Sequence, residues 1–226
     1  MSAVIETVYE MDDVFGDLGV RYAVGGGLAL QRYSNPRVTV DLDLNVAVPF
    51  TSASEVVEAL EPRGYRPMTP SKSWIPIAGV RFHRERSPVV DLFFAYDEYH
   101  NTIMDNSVWM PFETSGKKRT LLVLSADDLV VVKMSFNRPK DWTDIESMIY
   151  SGTAIDQEYV SSHLVSWRGP TMWPRVARLR TVQDAASRQA EDAAIELDRL
   201  RRHGFEAQVP TSTRTSRRSP GQRTGR

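Results

Sequence analysis

The sequence predicts an α+β protein: a mixed sheet flanked by helices over residues 1–120, a helical half over 121–202, and a disordered basic tail over 203–226. Three observations predict it. The run "VTVDLDLNVAV" (38–48) is rich in β-formers and alternates at period two. Val4, Val8, Met11 and Phe15 recur at helical spacing. Beyond Ser125 the chain reads as successive helices.

Element by element, Val4 to Phe15 is an amphipathic helix, "RYAVGG" a short strand running into glycine, and "GLALQRY" a following helix. Pro49 ends the 38–48 strand. "SASEVVEALEPRG" is a capped helix closed by Pro62 and Gly64. Strands are expected at Gly79–Arg84 and Val89–Ala95, whereas Tyr96 to Lys118 carries no clear period. Ser125 caps "SADDLVVVKMSF", whose first-turn acids suit the helix dipole. "RPKDWTDIESMIYSG" and Ile155–Trp167 give two more helices, and 174–202, with alternating charges, a longer surface or partner helix.

Composition narrows the chemistry. The 226 residues allow one or two domains with a real core, and with no cysteine there is no disulfide, thiolate metal site or cysteine nucleophile. His83, His100, His163 and His203 show no metal-ligand spacing. The net charge of −1 is unevenly spread, since the tail from Thr211 holds five arginines (Arg214, Arg217, Arg218, Arg223 and Arg226) and no acid. A signal peptide and a membrane-spanning run are not expected, so a cytoplasmic protein is.

The stretch "GGGLALQRYSNPRVTVDLDLNV" carries the chemistry. Thr39, Asp41, Asp43 and Asn45 share one parity, while Val38, Val40, Leu42 and Leu44 make an apolar face expected in the core. Like charges side by side are costly unless a cation neutralises them, and Mg²⁺ prefers carboxylate oxygens and retained waters. Asp91, in an otherwise apolar strand, either caps a strand end or joins Asp41 and Asp43 in holding two metals. Gly25, Gly26 and Gly27, between a strand and a helix start, would let backbone N–H groups approach a phosphate. Arg37 would hold the loop or touch that phosphate.

The pattern "GGGLAL…R-V-T-V-D-L-D-L" resembles the nucleotidyltransferase superfamily related to DNA polymerase β, and within it the AbiEii/AbiGii and MenT-like toxin group of type IV toxin–antitoxin systems. "DDLVVVKMSFNRPKDWTDIESM" is similar to the helix lysine and K-D-x-x-D segment of that group. The resemblance covers residues 20 to 150. Two departures stand out: Gly27 and Leu28 replace a motif serine, removing a hydroxyl that would meet phosphate, and the loop from Gly27 to Asp41 is long.

The resemblance implies a polymerase-β-like fold and transfer of NMP from an NTP to a hydroxyl acceptor. Asp41 and Asp43 would bind Mg²⁺, and Asp91 would assist them or act as base. Lys133 would meet the triphosphate, its alternative being a lysine snorkelling from an apolar face. Asp144 matches the downstream acid, flanked by Lys140 and Asp141, and Arg138 would contact phosphate or pair with Asp141. Thr39 is implied as a regulatory phosphorylation site for a cognate antitoxin, its alternative an ordinary strand threonine.

Toxin relatives imply an RNA acceptor, first the tRNA 3′ end. Arg32, Arg37, Arg81, His83, Arg84, Arg86, Lys117, Lys118 and Arg119 are the candidate phosphate contacts. The alternative is a small-molecule, antibiotic-type nucleotidyltransferase with an acceptor pocket built from Trp74, Trp109, Tyr96 and Tyr99. A catalytically dead binding module is disfavoured by the intact Asp41, Asp43, Asp91 and Lys133.

Overall fold

The computed structural model describes residues 2–68, 79–95 and 97–202. The expected Trp74, Tyr96 and basic tail therefore lie outside the described residues. Among those described, seven strands form one mixed sheet: β1 (Tyr22–Val24), β2 (Asp41–Pro49), β3 (Arg66–Pro67), β4 (Val80–His83), β5 (Val89–Ala95), β6 (Val108–Thr114) and β7 (Lys117–Val123). Their order is β3-β4-β5-β2-β1-β7-β6. The β2/β5 and β1/β7 pairs are parallel and the others antiparallel.

Helix α1 (Ser2–Leu18) buries Val4, Val8, Met11 and Phe15, the residues whose spacing predicts it. It packs on β2, as does α4 (Glu98–Asn106), and α3 (Ala53–Leu60) packs on α1. These contacts remove from water the apolar residues of the strands, Leu42, Leu44, Val46, Val90 and Leu92. Helices α5 (Ala126–Phe136), α6 (Pro139–Tyr150) and α7 (Gln157–Arg168) follow the sheet, and α8 (Trp173–Arg202) is anchored by buried Val176 and Leu179. The chain divides into two compact units after Ala186. No helix among the described residues is long and apolar enough to cross a membrane.

Three elements depart from expectation. The acidic strand starts at Asp41, so Val38 and Val40 are exposed rather than in the core. The cause is the partner strand: Asp41 pairs with Val89, the first residue of β5, and Pro88 before it has no N–H to extend the ladder. The "GLALQRY" helix is a single turn, α2 (Gly26–Ala29), tightened into a 3₁₀ turn over Leu30–Arg32.

The third departure is the aperiodic stretch before residue 118, which holds α4, capped by Asp97 accepting from the His100 N–H at 3.1 Å, and the β6–β7 hairpin. Its turn places Ser115 and Gly116 both at positive φ (50° and 73°), as a two-residue hairpin requires.

A candidate catalytic cleft

Along β2 the alternation turns Leu42, Leu44 and Val46 into the core and leaves Asp41, Asp43 and Asn45 on the opposite face. Register extends that face sideways. Asp43 is level with Asp91 on β5, and Asp91 with Arg81 on β4. One row across three strands therefore reads Asp43, Asp91, Arg81. It floors a cleft of about 440 Å³ whose other walls include Gly26, Gly27, Arg37, Thr39 and Lys133.

The glycine turn packs directly on the acids. The Gly25 N–H donates to the Asp43 carbonyl at 2.8 Å. Gly26 has φ +54°, and a Cβ there would lie 1.8 Å from Asp43 Oδ2. A Cβ on Gly27 would come within 2.9 Å of Thr39 Oγ1. These glycines are thus required by the chain's own strand, whatever ligand the turn meets. Thr39, buried and just before β2, donates its hydroxyl to the Asp41 carbonyl at 3.1 Å.

Neither the Asp41 nor the Asp43 carboxylate has a hydrogen-bond or ion-pair partner among the described residues. Burial pushes the Asp43 carboxyl up to about 6, and the charges of Asp91 and Asp41 add to the rise, against a downward pull from Lys133 and Arg138. Asp91 is differently placed: Arg81 donates Nε to Oδ1 at 2.7 Å and Nη2 to Oδ2 at 2.6 Å. Sequence reasoning grouped Arg81 with RNA contacts and missed this pair. A hairpin centred on Arg86, which has φ +58°, sets 81 opposite 91 and could have revealed it.

Across the cleft, Asp144 is a buried hub. Lys133 Nζ, itself buried, donates to Asp144 Oδ2 at 2.6 Å. Arg37 donates Nε to Oδ1 at 2.7 Å and Nη2 to Oδ2 at 2.8 Å. Burial pushes the Asp144 carboxyl up, but the hydrogen bonds and charges of Arg37 and Lys133 prevail and hold it below the usual carboxylate range. Two cations sharing one carboxylate leave this wall with net positive charge facing the acids. Arg138 caps α6 by pairing with buried Asp141 at 2.7 Å and lies over the Phe136 ring. Lys140, exposed at the cleft, has no ion-pair partner among the described residues.

The chemistry of this donor set fits a hard divalent cation at Asp41 and Asp43: two free carboxylates, one of them raised by burial and like charge. The expected third ligand does not join them as a free group, because both Asp91 oxygens accept from Arg81. Among the described residues no cluster of three or more His, Asp or Glu has metal-holding geometry.

Several other expected contacts are occupied. Arg84 forks onto Glu10 at 2.6 and 2.8 Å, and Arg119 pairs with Asp12 and Asp13. Buried Tyr99 hydrogen-bonds Asp128 rather than lining the cleft, and exposed Trp109 is not among the cleft residues. Among the described residues, Phe93 and Phe136, with ring centroids 5.9 Å apart, supply the aromatic side chains of the wall.

No family model and no curated protein sequence matches the chain. Solved structures give low-level likenesses. The lincosamide antibiotic adenylyltransferase LnuA, bound to lincomycin, is 15% identical over 63% of this chain and 94% of its own, with a TM-score of 0.44. The antibiotic-resistance factor ANT(2'')-Ia is 16% identical over 91% of this chain and 100% of its own, with a TM-score of 0.48. An antigenic nucleotidyltransferase-like protein from Paracoccidioides brasiliensis is 19% identical over 79% and 92%, with a TM-score of 0.45. At such identities and scores these likenesses assign neither a family nor an activity, and the chemistry rests on the cleft itself.

Proposed function

We propose that the chain is a divalent-metal-dependent nucleotidyltransferase that moves NMP from an NTP to an acceptor hydroxyl. The observation that carries this is the pairing of two unpartnered carboxylates, Asp41 and Asp43, with a fixed positive wall across one cleft. In the transfer, the acceptor oxygen bonds to the α-phosphorus, the bond to the bridging oxygen breaks, and pyrophosphate leaves. The hydroxyl proton passes to cleft water.

Asp41 and Asp43 would hold Mg²⁺, which supplies charge neutralisation on the phosphate oxygens. Lys133 presents an ammonium charge to the triphosphate, and Asp144 fixes its position, reinforced by Arg37. Arg138 and Lys140 extend the positive wall toward solvent. Asp144 therefore acts through Lys133, as a positioning residue. A phosphate on Thr39 would add negative charge beside Asp41 and Gly27 and oppose NTP entry, which makes a modifying antitoxin a coherent partner.

RNA, with the tRNA 3′ end first, is the acceptor favoured by the resemblance carried by "KMSFNRPKDWTDI" (133–145). A small-molecule acceptor is the second reading, favoured by a specific observation: Arg37, Arg81, Arg84 and Arg119 are all paired to acids of this chain, which thins the cationic surface a polynucleotide needs. Arg32, Lys117, Lys118 and Lys140 are exposed. The test is transfer from each labelled NTP to total tRNA and, in parallel, to aminoglycoside and lincosamide acceptors. Alanine at Lys117 and Lys118 weakens only an RNA reaction.

A further inference from the structure

Resting on that reading of Asp41 and Asp43, we infer that this is a one-metal site in which the Arg81 guanidinium takes the place of a second metal at Asp91. The row Asp43, Asp91, Arg81 is fixed by strand register, so the arginine is directed at the third carboxylate by the sheet itself and not by a surface rotamer. Its fork closes on both oxygens of Asp91, at 2.7 and 2.6 Å, the short distances of charge-assisted bonds.

Asp91 is nearly buried, so an unpaired charge there would be costly, and the guanidinium removes that cost. Arg81 also feels the charges of Asp41 and Asp43, beyond its own partner. It thus offsets part of the negative charge of the row, as Lys133 does at Asp43. A second cation bridging Asp43 and Asp91 would have to break a bidentate pair and put two positive groups on one carboxylate.

The first-placed pair behaves in the contrary way. Asp41 and Asp43 are free of partners among the described residues, and it is there that the donor oxygens are open. The chain therefore separates the three carboxylates into two kinds: two that hold a cation and one that is already neutralised. Arg81 is accordingly a positioning residue that sets metal stoichiometry. Half its side chain is exposed, so its removal leaves no hole in the core.

The test counts Mn²⁺ bound per chain by electron paramagnetic resonance, without NTP. The wild type is expected to bind one ion tightly, Arg81→Gln two, and Arg81→Gln with Asp91→Asn one again. Two tight ions in the wild type, or one in Arg81→Gln, overturns the inference while leaving the metal reading of Asp41 and Asp43 standing. No bound ion in either the wild type or Arg81→Gln overturns that parent reading and the inference together. Circular dichroism of the variants establishes that each is folded.

Discussion

Replacing Asp43 by Asn should stabilise the metal-free protein. The Asp43 carboxyl sits at about 6 because burial and two neighbouring carboxylates disfavour its charged form. Against an ordinary carboxylate value near ~4, that elevation corresponds to at most about 3 kcal/mol. Partial exposure of the side chain reduces the expected gain to about 1–2 kcal/mol.

The sign follows from proton counts. Below pH ~4 both folded and unfolded chains carry the proton, and wild type and variant match. Between ~4 and about 6 the unfolded chain has lost its proton while the folded chain keeps it, so wild-type stability falls relative to the variant. Above that window the gap holds constant at its full size. Urea denaturation in EDTA at several pH values between ~4 and ~7.5 reads the difference directly. A variant less stable than wild type at the upper pH, or a gap independent of pH, would refute the reasoning. Added Mg²⁺ should then stabilise the wild type and leave Asp43→Asn unmoved.

Three further outcomes follow from the geometry. Asp144→Ala strands the buried Lys133 ammonium and should cost about 3–5 kcal/mol in urea denaturation; a loss under ~1 kcal/mol would mean the hub holds nothing together. Gly26→Ala sets a Cβ against Asp43 Oδ2 at a positive φ, so a loss of about 2 kcal/mol or more is expected, together with weakened Mn²⁺ binding; an unchanged Tm and affinity would contradict the packing described. Thr39→Glu should reduce transfer at least ~10-fold while Thr39→Ser retains it, and a fully active glutamate variant would remove Thr39 as a switch.

Much of this fold is written in periodicity. The 3.6-residue spacing of Val4, Val8, Met11 and Phe15 and the capping Ser125 are local signals, and each element forms where they place it. The start of β2 was illegible because Val38 and Val40 continue the alternation perfectly well. What stops the strand is the partner's end at Val89, a fact about another segment. The same holds for the cleft. Asp41, Asp43, Lys133 and Asp144 stand out as residue types in a pattern, and the fold brings all four around one cavity or its supporting hub. The partners of the arginines were not legible, because Arg81, Arg84 and Arg119 look alike in the sequence and differ only in the acid each faces.

The most direct test of the central claim incubates the purified chain with Mg²⁺, each α-³²P NTP in turn, and the RNA and antibiotic acceptors, alongside Asp41→Ala and a no-metal control. Metal-dependent label in an acceptor from the wild type, absent with Asp41→Ala, is the predicted result, and the labelled partner identifies acceptor and base. Label that persists in Asp41→Ala or without metal would contradict the account, as would no transfer from any NTP to any acceptor by a chain that binds Mn²⁺ and NTP.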